Sequence, residues 1–349
     1  MPRRTTPRIA AALVVSLALL AACSGGGKKK DEASSTSTTV EATTTTAPAV
    51  SPLTGLPVTD AEAEARPALV VKIDNVEPKA RPQVGLNVAD VVFEERVEGS
   101  VTRLLAIFHS TNTGPVGPVR SARTSDLGVV NALHRPFFAW SGANDTFAKR
   151  IREAPLTDVG YDRATSQYKR ASDRHAPDNL MLLDTKAIRA LDASDGASPP
   201  PALFTYRTAG QAPAHLEPVG TVTVSYGTSA GAAPVTYTWN GTGWARTQKG
   251  TPHVDVAGLQ VAPPNVIIQF VQYASSGTND QFGVPIPEAQ LVGQGDAWVL
   301  TAGGLVAAHW SKPSLSDVTT YTDVDGQPIG LTPGRTWVAL PTPGGATRG

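Results

Sequence analysis

Val91-Val92-Phe93-Glu94-Glu95-Arg96-Val97, then Glu98-Gly99-Ser100, then Val101-Thr102-Arg103-Leu104-Leu105-Ala106-Ile107-Phe108-His109 read as two strands and the turn between them. Runs of Val, Leu, Ile and Phe on either side of a three-residue connector containing glycine are the signature of a hairpin. With side chains alternating, Arg103 faces one side of its strand and Leu104 the other. Upstream, Ala68 to Ile73 is an apolar strand interrupted by Lys72.

Downstream, the Gly/Pro-rich stretch Gly114 to Pro118 opens a segment, Ser121 to His134, with Leu127, Val130 and His134 at i, i+3 and i+7. That spacing predicts an amphipathic helix with Ser121 near its cap. Phe137 to Trp140 reads as a buried strand. Asn144 or Asp145 can cap a short helix carrying Phe147 and Ile151 inward, and Asp184 or Thr185 another carrying Ile188 and Leu191. This half is expected to be mixed α/β.

The three prolines and small polar residues of Asp192 to Ala202 interrupt both patterns, and the domain boundary is placed there. Beyond it, Thr221–Tyr226, Val235–Trp239, Gly243–Gln248, Asn265–Tyr273, Ala297–Thr301, Leu305–Trp310 and Thr336–Leu340 are short β-branched or aromatic runs separated by Gly/Pro turns. Thr301-Ala302-Gly303-Gly304-Leu305 is a hairpin signal, and this half is expected to be mainly β. The expected fold class is α+β: a mixed α/β N-terminal domain over 51–198, a linker over 199–214, a mainly β C-terminal domain over 215–341 and a disordered tail over 342–349.

At the N-terminus, Arg3, Arg4 and Arg8 precede an uncharged apolar run, Ile9 to Leu20, too short to span a bilayer. The run ends in Leu20-Ala21-Ala22-Cys23, which resembles the bacterial lipobox. Residues 1–22 are therefore expected to be a lipoprotein signal peptide. Cys23 would carry the lipid, and 23–50, rich in Ser, Thr, Ala and Pro, would be a disordered tether. Two or three acyl chains give stable membrane attachment where one gives only marginal attachment. The expected place of the protein is the extracytoplasmic face of the cell membrane.

The chain has 349 residues, with 30 Lys and Arg against 30 Asp and Glu and a charged fraction of 17%. Zero net charge disfavours a nucleic-acid partner of the ordinary basic kind. The single cysteine excludes an internal disulfide framework, a Cys-x-x-Cys redox pair and a thiolate zinc cluster, leaving only His and carboxylate as metal ligands. His109, His134 and His175 lack metal-ligand spacing, no phosphate-binding glycine loop occurs, and neither Ser121 nor Ser141 sits in a Gly-x-Ser-x-Gly elbow. No cofactor and no metal are expected.

Most charges lie before the boundary, and the densest polar stretch is Gly117-Pro118-Val119-Arg120-Ser121-Ala122-Arg123. A loop opening a helix with two arginines at i, i+3 makes an anion site for a carboxylate or phosphate, with Arg81 and Arg103 as further candidates. The same arginines could pair with Glu94, Glu95 or Asp90 in a structural network, which the guanidinium fork suits equally well. Asp74, at the end of the first strand, and Glu94 are the candidate acid and base for hydrolysis of a wall glycan. Trp239, Trp244, Trp298, Trp310 and Trp337 could stack on sugars, although core packing is the expected role of aromatics in such strands.

Arg-Pro-Gln at 81–83, Ala-Asp-x-x-x-Glu at 89–94, Glu-Gly-x-x-Thr-Arg at 98–103 and Gly-Pro-Val-Arg-Ser-Ala-Arg at 117–123 together resemble the YerB-like lipoprotein family. Asn265-Val266-Ile267-Ile268 and Pro333-Gly334-Arg335-Thr336-Trp337 resemble its closing segments, so the resemblance spans roughly 51–341. It implies a two-part domain of unknown function and assigns no catalytic residue. The chain departs from the pattern at Ala176-Pro177-Asp178-Asn179, where the family carries histidine in place of Asp178. Three readings remain open: a binding module for an anionic cell-wall polymer or envelope protein, an envelope hydrolase using a carboxylate beside the arginines, and a purely structural role in which the charged cluster holds the domain together.

Overall fold

A computed structural model describes residues 49–208, 210–228, 232–280 and 282–349. The signal peptide, Cys23 and nearly all of the tether lie outside the described residues. No described helix is long and apolar enough to cross a membrane.

In chain order the strands that build the two main sheets are β1 (Leu69–Asp74), β2 (Val91–Arg96), β3 (Thr102–Phe108), β4 (Phe137–Ala139), β5 (Thr157–Asp158), β6 (Thr221–Val224), β7 (Val235–Trp239), β8 (Trp244–Gln248), β9 (Asn265–Gln269), β10 (Gly293–Thr301), β11 (Gly304–Lys312), β12 (Thr320–Thr322), β13 (Thr336–Leu340) and β14 (Ala346–Arg348). The larger sheet runs β12-β11-β10-β9-β13-β2-β3-β1-β4-β5, with Glu217–Pro218 added beside β11. The smaller runs β8-β7-β6-β14, with Thr251–Pro252 at the edge beside β8.

The expected hairpin forms: β2 and β3 are antiparallel, and Gly99 takes the left-handed conformation (φ 68) that their turn needs. β1 lies antiparallel to β3 and parallel to β4. It is buried along its whole length, as expected of a strand covered on both faces.

The break at 192–202 separates two stretches of sequence but not two cores. β13 from the C-terminal stretch lies parallel to both β2 and β9, so one sheet draws strands from both sides of the boundary. Residues 47–349 form one compact unit. Leu203, in the expected linker, is buried in the core, and Thr205–Tyr206 pairs with Gly330–Leu331. The expected tail also folds: β14 pairs with β6, and Arg348 lies 5.0 Å over the Trp298 ring. Its backbone completes an edge that β6 would otherwise leave unpaired.

The chain is mainly β, and the mixed α/β character expected of the first half shrinks to a few short helices. Asp145–Arg152 is capped by Asn144 and buries Phe147 and Ile151 as its spacing predicts. Thr185–Arg189 is capped by Asp184 and buries Ile188, while Leu191 beyond it stays exposed. The helix expected from Ser121 to His134 does not form at that length. The amides of Val119, Arg120 and Ala122 bond to Leu180, Lys72 and Gly142 carbonyls, which holds the segment extended. A 3₁₀ turn begins only at Thr124 and continues as a single α-turn over Leu127–Val130, leaving His134 exposed.

The large sheet has apolar side chains on both faces. One face packs Val70, Val91, Leu105 and Ile107 against Leu127, Val130 and Phe147. The other packs Val71, Ile73, Val92 and Leu104 against Val222, Tyr237 and Trp244 of the small sheet. Both polar constellations below are built at the end of this sheet, one on each face.

Candidate functional site

β1 delivers Lys72 and Asp74 to the same face, since alternate residues share a face. Past its apolar run no fourth strand flanks it. Instead Pro118–Arg120 lies alongside, with the Asp74 amide on the Pro118 carbonyl at 3.0 Å and the Arg120 amide on the Lys72 carbonyl at 2.9 Å. This places the Arg120 Nε 2.7 Å from Asp74 Oδ2. Asp74 Oδ1 accepts the amides of Asn75 at 2.8 Å and Val76 at 3.2 Å.

Asp178, brought in by the connection between Tyr168–Arg170 and Leu180–Leu182, lies close enough to Asp74 for each carboxyl to shift the other's titration. Two carboxyls in contact share a proton because both cannot ionise cheaply. Burial, then the hydrogen bond and charge of Asp74, push the Asp178 carboxyl up to about 6. Burial also works to raise Asp74, but the Asp178 hydrogen bond together with Arg103 and Arg120 outweighs it and holds Asp74 below the usual carboxylate range.

The remaining arginines of this face are buried. Arg103, opposite Asp74 in the register, donates from Nη1 to the Ser121 carbonyl at 2.9 Å. Burial, reinforced by the Arg123 charge, lowers it to about 10, so it stays cationic at neutral pH. Arg123 makes a fork onto Glu98, with Nη2 at 2.7 and 2.8 Å from its two oxygens, and also donates to the Ala122 carbonyl. Its amide bonds to Asp126 Oδ2 at 2.8 Å, and the other Asp126 oxygen lies 2.6 Å from Lys72 Nζ, which also pairs with Glu95. Burial raises Asp126 to about 7 against the pull of Lys72.

Arg120 is different. Its side chain is 23% exposed, only its Nε is engaged, and its two terminal nitrogens bond to no described residue. The helix N-terminus expected to join Arg120 and Arg123 in holding an anion is missing, because the chain is extended through both residues. Ser121 contributes its carbonyl to Arg103.

Arg81 and Glu94 fall in a second network on the opposite face, because Glu94 and Glu95 are neighbours on one strand and point apart. Glu94 is 0% exposed. It receives Arg246 Nη2 at 2.8 and 2.9 Å, Thr102 Oγ1 at 2.9 Å, Trp337 Nε1 at 3.1 Å and Asn75 Nδ2 at 3.2 Å. Arg246 continues to His253 Nδ1 at 2.6 Å, and His253 Nε2 meets Gln83 Oε1 at 2.8 Å. Burial and the Arg246 charge hold His253 neutral, well below its ordinary pKa. Arg81 bonds to Gln248 and to Asn75 Oδ1. This network ties the hairpin to β8 and β13.

Sequence reasoning missed Arg246, Gln248 and His253, although Trp244-Ala245-Arg246-Thr247-Gln248 alternates and puts its arginine in phase with an inward tryptophan. Asp178 stood out only as a departure from a family pattern. Of the five tryptophans in the C-terminal half, Trp244, Trp310 and Trp337 are buried, while Trp239 and Trp298 are half-buried.

The chain matches two family models, "Protein of unknown function (DUF3048) N-terminal domain" over residues 53–198 and its C-terminal domain over 222–338. It is 31% identical over 300 residues to a Bacillus subtilis (strain 168) protein named "Putative lipoprotein YerB", covering 83% of this chain and 85% of that one. The crystal structure of the Bacillus subtilis YerB protein superposes with a TM-score of 0.73 at 26% identity, covering 86% of this chain and 99% of that one. This chain therefore belongs to the YerB-like family, which carries the two DUF3048 domains.

Proposed function

We propose that this protein is an extracytoplasmic lipoprotein, held to the cell membrane by a lipid on Cys23, that binds an anionic group of a cell-wall polymer or envelope protein through Arg120. The lipobox-like Leu20-Ala21-Ala22-Cys23 and the likeness to a protein named as a lipoprotein support the anchor. The observation that carries the binding site is the Arg120 guanidinium, held in place at Nε by Asp74 with both terminal nitrogens unspent. A fork so oriented suits a carboxylate or phosphate oxygen pair. Arg103, Arg123 and Arg81, all more deeply buried than Arg120, then serve as support.

A thermal-shift screen of the protein against stem peptides, phosphosugars and wall glycans tests this reading. A melting-temperature rise that Arg120→Ala loses and Arg120→Lys only partly keeps supports it. A ligand that stabilises Arg120→Ala as strongly as the unsubstituted protein refutes it.

A second reading, an envelope hydrolase, is favoured by the Asp74–Asp178 pair. Two carboxyls whose environments push their pKa values apart are the arrangement of an acid and a base. In this reading Asp178 takes the place sequence reasoning gave to Glu94, whose oxygens are filled on the opposite face. Hydrolysis of a wall glycan that Asp178→Asn abolishes, with unchanged ligand binding, would establish it.

A further inference from the structure

His215 lies between the two family regions, and Asp323 and Asp325 lie in the turn that follows β12. His215 Nε2 stands 2.7 Å from Asp325 Oδ2, and one donor atom each from His215, Asp323 and Asp325 fall within 4.8 Å of one another. Asp323 is only 5% exposed. Its Oδ1 accepts the amides of Asp325 at 3.0 Å and Gln327 at 2.9 Å, but its Oδ2 bonds to no described residue.

No described lysine or arginine forms an ion pair with Asp323 or Asp325. Asp74, Glu94, Glu95, Glu98 and Asp126, all buried or half-buried, each lie within ion-pair distance of a lysine or arginine, with Lys72 serving both Glu95 and Asp126. Asp90, equally buried without an ion pair, has both of its oxygens engaged by His109 and Ser110, whereas Asp323 has only one engaged. A buried carboxylate is ordinarily paired or bound to a metal, and here a second carboxylate beside it adds repulsion.

We propose that His215, Asp323 and Asp325 form a site for a divalent transition metal, with water completing the coordination. Zinc–ligand distances of about 2.0–2.2 Å require donor atoms about 3–3.5 Å apart. Small rotations of His215 and Asp325, both exposed, bring the three donors to that spacing around Asp323, which its amide contacts hold still. The imidazole favours Zn2+ over Ca2+ or Mg2+, which take oxygen ligands. Since the only cysteine is Cys23, His and carboxylate are the ligands this chain can offer, and this cluster supplies both. The bound metal pins the segment joining the two family regions to the edge of the large sheet.

The test is calorimetric titration of the full chain in detergent, stripped with a chelator, with Zn2+ and separately with Ca2+. The expected result is one Zn2+ per chain, bound at least tenfold more tightly than Ca2+. His215→Ala, Asp325→Asn and Asp323→Asn each weaken Zn2+ at least tenfold; Asp323→Asn keeps the oxygen that its amide contacts need. His309→Ala, which removes the exposed histidine 3.1 Å from Asp296, leaves Zn2+ affinity unchanged. Circular dichroism confirms that each variant is folded. Absence of Zn2+ binding, full affinity in folded His215→Ala and Asp325→Asn, or loss of binding in His309→Ala overturns the proposal.

Discussion

Glu94 and Asp178 show how much one residue's surroundings decide. Glu94 is enclosed by five donor contacts from four residues, and removing its cation would strand a buried charge. Arg246→Met is therefore expected to destabilise by about 3–5 kcal/mol, and adding Glu94→Gln to recover part of the loss. Urea unfolding of the single and double variants measures both, and an unaffected single variant would contradict the network.

Asp178 acts through pH. Its folded pKa of about 6 lies above the ordinary aspartate value of 3.8, so its contribution to stability is present at low pH and is lost as pH rises through about 6. Asp126, raised to about 7, acts in the same direction. Asp178→Asn keeps a permanent donor toward Asp74, so its stability relative to the unsubstituted protein is expected to improve between pH 4 and pH 7. Parallel stability curves for the two proteins would show that the carboxyls do not share a proton.

Among the elements, the helix Asp145–Arg152 owes its start to Asn144, whose side chain accepts the Phe147 amide at 2.9 Å. Asn144→Ala is expected to cost about 1 kcal/mol, read as a shift of the denaturation midpoint. The last strand is a stronger case, because β14 covers the edge of β6 and holds Arg348 over Trp298. A chain ending at Pro341 should melt lower and associate more readily through the uncovered edge. Light scattering and a melting curve check this, and an unchanged melting point would mean that the strand contributes no packing. The segment 121–134 shows the reverse failure: its helical spacing is real, but pairing of Val119, Arg120 and Ala122 with Leu180, Lys72 and Gly142 carries an extended backbone through Arg123, and only Thr124 onward can turn.

At the level of the whole molecule, β13 sits between β2 and β9, so neither family region can complete its sheet alone. Unfolding of the chain should be a single transition by both fluorescence and circular dichroism. Residues 51–198 and 199–349 made separately should each fail to fold, and a stable, monomeric N-terminal piece would contradict the shared sheet.

By itself the sequence determined what is local. The β2–β3 hairpin, the exact bounds of β7 and β13, and the caps, read as Asn144 or Asp145 and Asp184 or Thr185 and found at Asn144 and Asp184, were legible, because turn chemistry, side-chain alternation and capping act over a few residues. The candidate site was only half legible: Arg103, Arg120, Arg123 and Asp74 do come together, but which arginine stays exposed depends on segments far away in the chain. Tertiary structure alone decided that Glu94 and Arg81 lie on the other side of the sheet, that Asp178 meets Asp74 and that Arg246 neutralises Glu94. Pairing between strands hundreds of residues apart leaves no periodic trace in either strand, and a buried charge names its need for a partner without naming the partner.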